Sequence, residues 1–83
     1  MTWQDYKRSI HGRNASIGIL DGQYVMEATT QSGMCSNFYK LSKEEYDTFE
    51  QWKDDEEKQL DMRLRGCWYR GFWGYSEFQL MEE

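Results

Sequence analysis

Ala15-Ser16-Ile17-Gly18-Ile19-Leu20-Asp21-Gly22-Gln23-Tyr24-Val25-Met26-Glu27-Ala28-Thr29-Thr30 is the stretch that decides the fold. Ile17 and Ile19 alternate with Ser16 and Gly18, the two-residue period of a half-buried strand. Asp21-Gly22 follows at once. A two-residue hairpin turn needs positive φ at both central positions, and Asp-Gly tolerates that better than most pairs. Beyond the turn, Gln23 to Thr30 reads as the return strand, β-branched at Val25, Thr29 and Thr30. The segment predicts an antiparallel hairpin.

Working outward toward the C-terminus, Gln31-Ser32-Gly33 reads as the next turn and Met34 to Leu41 as a third strand anchored by Phe38 and Tyr39. Ser42-Lys43-Glu44-Glu45 then gives a helix start. Ser42 can accept from the amide three residues on while Glu45 reaches back to the Ser42 amide. Gly66, with Arg63 and Arg65 just before it, marks the stop. On helical spacing Tyr46, Phe49, Leu60 and Leu64 share one face, but Lys53, Glu56 and Glu57 fall on it too. The favoured reading is a single helix of about 24 residues with an exposed middle, long for so small a chain. The alternative is a break near Lys53–Asp55. Cys67 to Phe78 reads as a strand and a glycine-flanked turn, and Tyr75 to Met81 as the final strand.

In the other direction, His11-Gly12-Arg13-Asn14 reads as a turn. Residues 2–10 read as a short helix, with Thr2 as N-cap and Trp3, Tyr6 and Ile10 at i, i+3 and i+7; a strand is the alternative. The sum is an α+β fold: an antiparallel sheet of four to five strands with one long helix, continuous or broken, packed on one face. The expected core is Ile17, Ile19, Val25, Phe38, Tyr46, Phe49, Leu60, Leu64 and Phe78.

Composition bounds what this fold can do. Eighty-three residues make one domain, 1–83, whose core is thin. Aromatics at 17% argue against disorder, and the absence of proline leaves the turns to Gly, Asn, Asp and Ser. No basic n-region precedes an apolar stretch and no apolar run approaches a membrane span, so a cytoplasmic protein without membrane attachment is expected. Cys35 and Cys67 form no CxxC pair and stand with a lone histidine, so free thiols and no metal are expected. His11 in a turn is the only candidate acid–base side chain of its type. No nucleophile elbow, phosphate loop, dinucleotide fingerprint or zinc-protease motif accompanies it, so no catalytic residue and no cofactor are expected.

Two clusters remain. Glu44, Glu45, Asp47, Glu50, Asp54, Asp55, Glu56, Glu57 and Asp61 gather nine of the fifteen acids. Only Lys53 and Lys58 oppose them within that span. A solvated helix face is the plain explanation. A surface that meets a basic groove is the functional one, since charge spaced along a helix can stand in for nucleic-acid phosphates. The second cluster is Trp68, Tyr69, Phe72, Trp73, Tyr75 and Phe78. Strand alternation sends neighbours to opposite faces, so part of this set should be outside, where Trp and Tyr commonly anchor partners. Arg70-Gly71-Phe72 opens like the RNA-recognition octapeptide, but Trp73 breaks the pattern and no helix and strand follow it. The net charge of −5 also repels phosphate backbones.

The expectation is a small acidic inhibitor that binds and blocks a nucleic-acid-processing enzyme or defence complex. It would be an immunity or antitoxin-type protein or a phage-encoded anti-CRISPR-like one, acting as a nucleic-acid mimic. Its partner would be a protein with a basic surface or cleft, with no direct nucleic acid contact. The contact residues would be Glu44, Asp47, Glu50, Asp54, Asp55, Glu56, Glu57 and Asp61 with Trp68, Tyr69 and Trp73. A structural or adaptor subunit with a merely solvated acidic helix is the rival, and a small enzyme using His11 the third reading.

Overall fold

A computed structural model describes residues 1–12, 15–30 and 33–81. A 3₁₀ turn, Trp3–Asp5, leads into β1 (Tyr6–His11), β2 (Ser16–Leu20), β3 (Gln23–Thr29) and β4 (Cys35–Lys40). Three short helices follow, α1 (Lys43–Asp47), α2 (Phe49–Trp52) and α3 (Glu56–Leu64), then β5 (Tyr69–Phe72) and β6 (Gln79–Leu80). The six strands form one antiparallel sheet in sequence order. The chain is thus α+β as expected, with six strands rather than four to five.

The extra strand is the N-terminal one. Thr2 does cap a helical turn, accepting from the Gln4 amide at 3.2 Å, but the helix ends after three residues. From Tyr6 on, the backbone pairs with the open edge of the β2–β3 hairpin instead. That edge satisfies every second amide and carbonyl of the segment, which outweighs a weak helical spacing. Ser9 forms a β-bulge, because Arg8 pairs with Gly18 and Ile10 with Ile17. The bulge reverses the alternation, so Tyr6 and Ile10 pack in different cores. The hairpin behaves as read: Asp21 and Gly22 have φ of 52° and 72°. Of the two flanking turns, Arg13, Asn14, Gln31 and Ser32 lie outside the described residues; His11 belongs to β1.

The sheet curls until its first and last segments meet. Thr2 bridges Glu77, and the Phe78 amide donates to the Met1 carbonyl at 2.7 Å. Both faces are therefore covered. Inside the curl, Leu20, Val25, Phe38 and Phe78 pack with Trp3, Tyr6, Trp68 and Tyr69 against them. Gly71 makes room for this: a Cβ there would stand 2.6 Å from the Phe78 ring and 2.8 Å from Trp3. On the outer face Ile17, Met26, Tyr39 and Leu41 meet Phe49, Trp52 and Met62 of the helical layer.

That layer starts where expected. Ser42 Oγ accepts from the Glu45 amide at 3.1 Å and Glu45 Oε1 from the Ser42 amide at 2.9 Å. It also stops where expected, at Gly66 with φ 103°. Between these points it is broken, not one long helix. Thr48 interrupts it first, its hydroxyl donating to the Glu44 carbonyl at 2.8 Å, a bond that competes with regular helix. Asp55 then starts a new helix as N-cap, accepting from the Glu57 and Lys58 amides at 3.0 and 3.3 Å.

The break resets the phase. Gln59 and Met62 face inward, while Leu60 and Leu64, expected in the core, are 56% and 78% exposed. Ile19 and Tyr46 are half-buried rather than buried. Ile17, Val25, Phe38, Phe49 and Phe78 are buried as expected. The final strand is also shorter than Tyr75 to Met81, reduced to Gln79–Leu80.

Candidate functional site

Of the acids, Glu45 is structural. It pairs with Arg65 at 2.8 Å and Lys58 at 3.5 Å, tying the start of α1 to the end of α3. Burial opposes its charge, but hydrogen bonds from Arg65 and the Ser42 amide bring its pKa from 4.5 to about 2. The eight acids expected at a contact surface are all exposed. Asp47 holds Lys43 at 2.6 Å and Glu50 holds Lys53 at 2.7 Å, while Asp61 lies 3.5 Å from Arg65. Asp55 is committed to its capping role. Glu44, Asp54, Glu56 and Glu57 make no side-chain hydrogen bond or ion pair among the described residues.

On α3 these acids surround the two outward leucines. Glu56 and Glu57 lie one turn before Leu60, and Asp61 one turn before Leu64. The result is an exposed Leu60–Leu64 pair rimmed by three carboxylates. Sequence periodicity hid it, because a continuous helix turns both leucines inward.

The aromatics separate. Trp68 and Tyr69 are both half-buried against the inner core, their rings 4.9 Å apart. Trp68 escapes strand alternation because it precedes β5. Trp73 is 48% exposed and stacks on Trp3 at 4.4 Å. The structure therefore does not gather Trp68, Tyr69 and Trp73 into one exposed patch. Tyr75, in the aromatic cluster but not among the expected contact residues, and Met34 are more exposed than any of the three.

Trp73 and Leu60 line a cleft of about 660 Å³ that opens onto Arg8, Glu27, Ser16 and His11. Its floor holds a two-point ion pair: Arg8 Nε and Nη2 donate to Glu27 Oε1 and Oε2, each at 2.9 Å. Glu27 is 5% exposed, so Arg8 is what keeps its charge tolerable. The Tyr6 hydroxyl is buried with no hydrogen-bond partner among the described residues. Burial and the Glu27 charge push its pKa up, so it stays a neutral phenol. The imidazole of His11 and the guanidinium of Arg63, both on the cleft, make no hydrogen bond or ion pair among the described residues. Nothing in the sequence pointed to this cleft, because it depends on β1 being a strand, which sets Arg8 across the sheet from Glu27.

Cys35 is buried and Cys67 half-buried, both free. Burial pushes the Cys67 thiol up, and its Sγ donates to the Tyr69 carbonyl at 3.0 Å. Among the described residues no three His, Cys, Asp or Glu side chains converge on a metal position, and no helix is long and apolar enough to cross a membrane. The chain matches no protein-family model, no curated protein and no solved structure.

Proposed function

We propose that this protein works by stoichiometric binding, as a small acidic inhibitor that covers a basic cleft on a nucleic-acid-processing protein. The observation that carries this reading is the outward face of α3. Leu60 and Leu64 are 56% and 78% exposed although a small domain has few large apolar side chains to spare. Apolar surface rimmed by charge is the usual form of a protein contact. Glu56, Glu57 and Asp61 make that rim mainly negative, with Arg63 beside Leu60 as a cation within it, and an apolar patch in a mainly negative rim complements a basic surface. The exposed acids on α1 and α2 extend the same sign, steering encounter rather than anchoring it. Trp73, which lines the same cleft as Leu60, adds exposed aromatic surface.

Affinity capture from a host lysate tests the reading, with Leu60→Ser/Leu64→Ser beside wild type. The expected result is a nucleic-acid-binding protein retained by wild type, released by salt, and lost with the serine variant. Its enzymatic activity should fall in proportion to added wild-type protein. A retained set that is the same for both proteins would favour the solvated-face alternative.

A further inference from the structure

The cleft carries a chemistry that the acidic face does not use. Trp73 lies nearly parallel to Trp3, at 11° and 4.4 Å. Trp3 is itself held by edge contacts with Phe38 and Phe78 and by its Nε1, which donates to the Phe72 carbonyl at 3.4 Å. Trp73 lines the cleft and Trp3 does not. The inner indole therefore backs the outer one, whose open face is a ready stacking platform for a planar ring.

Cations line the same cleft. Arg8 spends Nε and Nη2 on Glu27, which fixes the plane of its guanidinium and leaves Nη1 free of that pair. Arg63 on α3 has no acidic partner among the described residues. Glu27 is already neutralised by Arg8, which leaves Glu56 as the opposing charge at the rim. Ser16 and Thr29 add hydroxyls. A cleft of about 660 Å³ is in the usual range for a small organic ligand.

We infer that the cleft binds a nucleoside monophosphate, its base on Trp73 and its phosphate toward Arg63 and Arg8. Arg63 supplies the guanidinium without an acidic partner for that phosphate, and Arg8, whose charge Glu27 takes up, adds a hydrogen-bond donor at Nη1. A longer strand suits the site badly, because the acids of the helical layer repel further phosphates.

Calorimetric titration of the intact chain with AMP, adenosine, inorganic phosphate and a short 5′-phosphorylated oligonucleotide tests this. AMP should saturate one site, about tenfold more tightly than adenosine, a difference of about 1.4 kcal/mol. Phosphate alone and the oligonucleotide should bind more weakly than AMP. Trp73→Leu should lose both AMP and adenosine. Arg63→Gln, at an exposed helix position that the core does not use, should lose only the advantage of AMP over adenosine. The inference is overturned if AMP binds no better than phosphate alone, if the oligonucleotide binds best, or if Arg63→Gln keeps the full preference for AMP.

Discussion

Glu27 keeps a carboxylate out of water by holding Arg8 at two points, and the energetics of that pair are lopsided. Arg8→Leu strands a charge that is 5% exposed. The cost should be about 2–3 kcal/mol, under the range for a fully buried pair because Arg8 itself reaches solvent. Replacing both residues by leucine should recover most of the loss; urea denaturation of the single and double variants checks both outcomes. Phe49 is fully buried between sheet and helices, and Phe49→Ala should cost about 3–5 kcal/mol, most of the stability of so small a domain. Leu60→Ala and Leu64→Ala, by contrast, should each change stability by less than about 0.5 kcal/mol. Phe49 was legible because it follows the capping box by less than two turns and the interruption at Thr48 lasts a single residue. Leu60 was not, because a side chain's direction that far along depends on every residue between keeping helical phase.

At the scale of elements, the helical layer is set by caps. The Ser42–Glu45 pair was readable from spacing alone, since both partners sit within one turn. Asp55 was readable only as one acid among nine, though it decides where α3 begins. Asp55→Ala should cost about 1 kcal/mol, seen as a lower midpoint in thermal unfolding. Glu45 links cap to pH. Its folded pKa, about 2, lies below its ordinary 4.5. A depressed carboxyl contributes stability that is present above about pH 4.5 and is lost as pH falls toward 2. Glu45→Gln should therefore flatten the acid limb of the stability profile in that window while leaving it unchanged in shape near neutrality. In the sheet, Gly71 lets Trp3 and Phe78 lie against β5. Gly71→Ala should destabilise by about 1–3 kcal/mol, the usual cost of overpacking. The β2–β3 hairpin was legible from its turn residues; β1 was not, because its strand state comes from the partner edge rather than from its own pattern.

For the whole molecule, closure of the sheet and breakage of the helix together create the outer features that local patterns miss. Curling brings Trp3 under Trp73, residues at opposite ends of the chain. Breakage turns two leucines outward among carboxylates. The acid cluster itself was plain in the sequence, since charge counts survive any fold. What the sequence withheld was its division of labour: Glu45 and Asp55 hold the structure, while Glu56, Glu57 and Asp61 surround exposed leucine. The central claim is that this α3 face engages a basic partner. The most direct measurement is the association rate of the captured partner with wild type and with Glu56→Lys/Glu57→Lys/Asp61→Lys, at low and at physiological salt. Asp55 stays unchanged in that variant, so α3 keeps its cap. Association with wild type should slow as salt rises, screening over roughly 8 Å, and the lysine variant should associate at least about tenfold more slowly at low salt while keeping its fold. Equal association rates for the two folded proteins at both salt concentrations would contradict it.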